Sequence, residues 1–172
     1  MKLHRFPAVF SSAVLAIAVL LGGCGFHLRR EANLPASMQR LHIEIADRSA
    51  PLSRGLADAI RRSGVEIVPA AGPGIAVLKV PANRVSTEVL SVGGNARASE
   101  YTLRHHVEFE VRDAAGGVLM PLQMVDLTRE FTFDASQALG VAAETDLLTK
   151  ELERDMVQAI LRRLEALSNA AP

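Results

Sequence analysis

At 172 residues, with 49% hydrophobic and 22% charged side chains, the chain has the make-up of one globular domain, not a disordered segment. Its 19 Lys and Arg balance 19 Asp and Glu, which excludes the basic excess of a general nucleic-acid binder and leaves only local clusters as anion sites. The single cysteine excludes an internal disulfide, and with 4% aromatic residues and no tryptophan the core must be packed by Leu, Val, Ile and Met.

The first element is a leader. Lys2 and Arg5 precede an apolar run from Val9 to Leu21, broken only by Ser11 and Ser12. That run is about 13 residues, short of the ~20 that span a bilayer. It ends in Leu21-Gly22-Gly23-Cys24, which resembles a bacterial lipobox. The resemblance implies a diacylglyceryl thioether on Cys24, cleavage between Gly23 and Cys24, and acylation of the new amine. More than one acyl chain holds a protein stably on a membrane without a spanning helix. Gly25 follows the cysteine, where Asp is the usual inner-membrane retention signal, so the expected address is the outer membrane. Removing 1–23 takes two cations away and leaves 17 basic against 19 acidic groups, still near neutral.

The mature part, 24–167, reads as one domain, with 168–172 as a disordered tail. An extended lead-in passes Pro35. Leu41, Ile43 and Ile45 then alternate with His42, Glu44 and Ala46, a short strand with one buried face. Pro51–Ser63 reads as a helix: Ser49 is its expected cap, Leu52, Leu56 and Ile60 recur at four-residue spacing, and Gly64 stops it. The short run Val65–Val68 leads into a turn-rich stretch, 69–74. A strand follows from Ile75, interrupted or bulged at Pro81, which cannot donate to a ladder, and resuming through Val89. Gly93, Gly94 and Asn95 mark a turn.

The clearest pattern is Tyr101–Arg112. Tyr101, Leu103, His105, Val107, Phe109 and Val111 fall on one face. Thr102, Arg104, His106, Glu108, Glu110 and Arg112 fall on the other. After a turn at 113–117, a further strand covers 119–133 with a register change expected near Asp126. The last element is a helix from about Ala143 to Leu167, striped by Leu148, Leu152, Met156, Ile160 and Leu164. The fold class is therefore α+β: a two-layer sandwich in which a mainly antiparallel, mixed sheet of about four strands carries two helices on one face.

Several short stretches, in order, resemble the LptE family of lipopolysaccharide-assembly lipoproteins. They are Cys24-Gly25-Phe26-His27-Leu28-Arg29, Pro51-Leu52-Ser53-Arg54, Gly64-Val65-Glu66, Glu100-Tyr101, Arg129-Glu130-Phe131, and Asp146 through Asp155. The resemblance covers nearly the whole mature chain. It implies a partner, the outer-membrane β-barrel LptD, in whose lumen such lipoproteins sit as a plug while the pair delivers lipopolysaccharide to the outer leaflet. Large barrels have wide polar lumens, so a compact body with a wet, charged sheet face suits the task.

No nucleophile elbow, phosphate loop or metal-ligand spacing is present in the sequence, so neither a cofactor nor an enzyme activity is expected. His105 and His106 are adjacent and so point to opposite faces of a strand, and His105 reads as a core histidine. A lipopolysaccharide phosphate would need grouped cations. Arg97, at the glycine-rich tip, with Arg84 and Arg104 near it if the strands form a hairpin, is the candidate contact; the plainer reading is three solvated arginines. The loop 136–143, where family members can present a further cation, holds none here. The competing functional reading is a different periplasm-facing outer-membrane lipoprotein, an auxiliary subunit of a lipid-transport system.

Overall fold

The computed structural model describes residues 32–92, 98–132 and 138–170. Residues 1–23, read above as a leader, lie outside them, as do Cys24 and Arg97. A short 3-10 turn, Ala36–Met38, drops Met38 into the core and leads to β1, Arg40–Ile45. Helix α1 spans Pro51–Arg62, β2 is Glu66–Ile67, and three long strands follow: β3, Ala76–Val92; β4, Ala98–Arg112; and β5, Val118–Thr132. Helix α2, Ala138–Ala170, ends the described chain.

The sheet order is β2-β1-β3-β4-β5. Strand β1 is parallel to both neighbours, and β3, β4 and β5 form an antiparallel meander. The sheet thus has five strands where about four were expected. The extra one, β2, is two residues long, too short to show a period in sequence. It is held by Val68 N–H donating to the Leu41 carbonyl at 2.9 Å and Glu66 N–H to the Gln39 carbonyl at 2.8 Å.

Alternation builds the dry face. Leu103, His105, Val107, Phe109 and Val111 of β4 are all buried, as the pattern predicted. Leu41, Leu78 and Val80 extend that face, and Leu52, Leu56 and Ile60 of α1 cover it with Leu152, Met156, Ile160 and Leu164 of α2. Gly55 lets the helices approach closely: a Cβ there would sit 3.2 Å from a Val157 methyl.

Local chemistry sets the boundaries. Gly64 ends α1 at φ +82°, a left-handed conformation that a side chain disfavours. At the other end Ser49 is not the cap. The capping position falls to Ala50, which makes no side-chain bond, because the Ser49 hydroxyl donates to Asp47 instead, at 2.7 Å. That bond, first among several, pulls the Asp47 carboxyl below its usual range. The Ser53 hydroxyl donates to the Asp47 carbonyl and the Arg54 guanidinium to the Ser49 carbonyl, so the first turn is tied to its loop from inside the helix. Between β4 and β5, Asp113 accepts the N–H groups of Ala115 and Gly117, both at 2.8 Å, and closes the turn.

Both strand prolines sit at register slips. One slip falls between Lys79 and Ala82, across Pro81, where β1 also stops pairing. Strand β5 slips twice, at Pro121 and Leu122 between the Met120–Val111 and Gln123–Phe109 pairs, and at Leu119 between the Val118–Arg112 and Met120–Val111 pairs, and not near Asp126 as the sequence suggests. A proline lacks the donor its ladder position needs, so the irregularity settles beside it. Helix α2 begins earlier than expected and continues to Ala170, into the stretch read as a tail.

Because Phe109 is fully buried between sheet and helices, Phe109→Ala should cost about 3–5 kcal/mol in urea unfolding. Val85→Ala, at a position 45% exposed, should change stability by less than about 0.5 kcal/mol. Equal costs would mean that the helices cover a different face.

Candidate functional site

The opposite face of the meander is the polar one. In β4 it carries Thr102, Arg104, His106, Glu108, Glu110 and Arg112, each partly or fully exposed. Cross-strand pairing sets His106 between Arg84 and Asp126, Arg104 between Ser86 and Thr128, and Thr102 between Glu88 and Glu130. Charges at such positions meet across the ladder. Lys79 reaches Glu44 at 3.4 Å and Arg104 reaches Glu88 at 3.6 Å. Arg112 grips Glu110 with two nitrogens, at 2.8 and 3.2 Å. That hydrogen bonding lowers the Glu110 carboxyl from its ordinary range and raises Arg112. Exposed pairs of this kind contribute little stability each. What they provide is a flat, solvated surface patterned in both signs.

Of the three arginines singled out by sequence, two are brought together. Arg84 and Arg104 lie on the polar face as diagonal neighbours, since Arg84 faces His106 while Arg104 faces Ser86. Their situations differ. Arg104 is engaged by Glu88, whereas Arg84 is exposed with no ion-pair partner among the described residues. Arg97 is outside those residues.

The two histidines divide as their alternation requires. His105 is 1% exposed on the dry face, where its Nε2 donates to the Asn83 side-chain oxygen at 2.8 Å. Its Nδ1 has no hydrogen-bond partner of normal geometry. Burial, then the neighbouring His106, holds its pKa below the ordinary value, so it stays neutral. His106, on the wet face, donates to Asp126 at 3.0 Å and to Glu108 at 3.3 Å, and these bonds raise its pKa. Among the described residues no group of His, Asp and Glu is arranged to hold a metal, and no helix is long and apolar enough to cross a membrane.

Sequence reading missed the bonds that join distant elements. Arg129 of β5 pairs with Asp155 of α2, and Arg163 of α2 donates to the Met124 carbonyl at 2.7 Å. Nothing in local periodicity links residues 26 to 39 apart. A cleft of about 330 Å³ lies beside the free edge of β1, floored by Ile43, Ile45 and Ile67 and bordered by Arg48 and Arg61. Sequence gave no sign of it, because its walls come from four separate segments.

Comparison with known proteins bears on this arrangement. Residues 38–164 match the family model described as LptE, lipopolysaccharide-assembly. An LPS-assembly lipoprotein LptE of Photorhabdus laumondii is 30% identical over 158 residues, covering 91% of this chain and 86% of that protein. One from Yersinia pestis is 33% identical over 153 residues, covering 88% and 73%. The solution structure of a lipoprotein B from Nitrosomonas europaea superposes with a TM-score of 0.71 at 30% identity, covering 85% of this chain and 94% of that one. The rare lipoprotein B of Shewanella oneidensis gives 0.65 at 25% identity, covering 74% and 94%.

The His106 cluster makes a pH prediction. A histidine whose folded pKa is raised stabilises the fold below its unfolded value of about 6.5, and that contribution disappears as pH rises through the folded value. His106→Gln should therefore destabilise the domain more at pH 5 than at pH 9, measured by chemical denaturation at both. A cost independent of pH would show that Asp126 and Glu108 do not hold a proton there.

Proposed function

The chain belongs to the LptE lipopolysaccharide-assembly family, and from that membership we propose that it is an outer-membrane lipoprotein, tethered through Cys24, that plugs the lumen of an LptD-type β-barrel during lipopolysaccharide delivery. The observation that carries the reading is the family match, which runs from the first core residue, Met38, to the last buried residue of α2, Leu164. The physical form of the domain supports it. A barrel lumen is polar and wide. A sheet face whose charges are mostly paired can meet such a wall through hydrogen bonds at little desolvation cost from unpaired ions.

The anchor supplies the address. Cleavage between Gly23 and Cys24, a thioether on the sulfur and an acylated amine would hold residues 24–167 at the bilayer as a single soluble body. Phosphates of the transported lipid would be met by Arg84, Arg97 and Arg104. The first and third are diagonal neighbours, and Arg84 is not committed to a carboxylate. The lipid is anionic, so contact with grouped guanidinium ions is the chemistry that recognises it.

Extraction of native membranes in mild detergent should bring one large barrel protein along with this chain in about equal amount. Recovery of a soluble or inner-membrane protein in its place would assign the chain to another lipid-transport assembly. Cys24→Ala should leave the precursor uncleaved and unlipidated, read by intact-mass spectrometry; an unmodified Cys24 in the wild-type protein would refute the tether. Arg84→Glu together with Arg97→Glu should lower lipopolysaccharide binding by about tenfold at low salt and by less at high salt, where screening shortens the reach of the charges. Unchanged binding would return these arginines to solvated surface.

A further inference from the structure

The five-stranded sheet has open edges, and they are finished in different ways. On the outer edge of β5, side chains cap three carbonyls. Arg163 donates to the Met124 carbonyl at 2.7 Å, Arg129 to the Thr128 carbonyl at 3.1 Å, and Gln123 to the Pro121 carbonyl at 3.2 Å. A second opening lies within the sheet. Strand β1 pairs with β3 only from Ala76 to Val80, while β3 runs on to Val92. Beyond Pro81 its free side presents the N–H and C=O of every second residue with no partner strand among the described residues. Among the described residues no side chain caps a backbone group of 82–90. The same stretch leaves Val85 and Val89 45% and 55% exposed, on the side of the sheet that carries His105 and Tyr101.

Proteins cap, twist or cover such edges, because an unpaired strand is a template for another one. Among the described residues side chains cap three carbonyls of β5 and no backbone group of the β3 stretch. We propose that residues 82–90 of β3 receive an extended segment of the barrel partner as an added strand, in line with β1. The inference rests on the barrel reading above. Nine extended residues span about 30 Å, close to the ~25 Å height of a barrel's apolar band, so the edge is long enough to run the depth of the lumen. The guest cannot be a strand of the closed wall, whose backbone groups are already used; it is a segment that turns away from the wall. Its apolar residues fall at every second position, against Val85 and Val89. Main-chain bonds supply the affinity and the alternating side chains the selectivity.

The test uses the full lipoprotein expressed in its own outer membrane, with the photoreactive residue p-benzoylphenylalanine placed singly at Val85, Val89 or Thr128. The expected result is that Val85 and Val89 cross-link to one and the same short stretch of the copurified barrel, located by peptide mass spectrometry, and that Thr128, on the polar face, does not reach that stretch. The double variant Val85→Asp with Val89→Asp should recover about tenfold less barrel at an unchanged melting temperature, both sites being exposed. Barrel recovered in full by that variant, cross-linking from Thr128 alone, or cross-linking to a second copy of this chain would each overturn the docking edge while leaving the barrel partnership standing. If no barrel copurifies with the wild-type protein, the partnership itself fails and the edge assignment with it.

Discussion

Strict alternation along β4 is the constraint on which the rest of the molecule depends. Every second residue from Leu103 to Val111 is driven out of water, and the residues between them are held in it. The burial of Phe109, Val107 and Val111 demands a cover, and α1 and α2 supply it from one side only. The other face is then left open to water, with Met124 and Val118 exposed among its charged residues. A two-layer body with one covered and one open face follows from this single strand and its two antiparallel neighbours.

That division explains why the adjacent histidines behave oppositely. His105 is enclosed with Asn83 as its partner and is kept neutral, whereas one residue on, His106 is held by two carboxylates and retains its proton to higher pH. The same division gives the charged residues a place in the proposed role. Pairs such as Arg112 with Glu110 and Lys79 with Glu44 hardly stabilise the domain, yet they leave a surface able to satisfy a polar wall pressed against it.

Much of this was legible in the sequence, and the reasons are local. Period-two burial in β4, the four-residue stripe of α1 and the glycine that ends it are properties of a few consecutive side chains. The resemblance to the LptE family, read from short stretches in order, is matched by the family model over 38–164. What escaped was set by distant partners or by a nearby residue competing for the same role. The strand β2 exists because Val68 and Glu66 find carbonyls on the chain beside Leu41 and Gln39. Ser49 looked like a cap, but Asp47, two residues earlier, competes for its hydroxyl. A β5 slip was sought near Asp126, whereas the missing donor is that of Pro121. Arg84 and Arg104 were placed together by assuming a hairpin, and the register of β3 on β4 makes them diagonal neighbours.

The proposed role has three parts: a fatty tether, a family fold and a seat inside a membrane barrel. Native mass spectrometry of the complex released from the outer membrane tests all three in one spectrum. The predicted mass is that of one barrel with one copy of this chain beginning at Cys24 and carrying its acyl groups. A chain that flies alone under the same conditions, or that begins at another residue without lipid, would contradict the account.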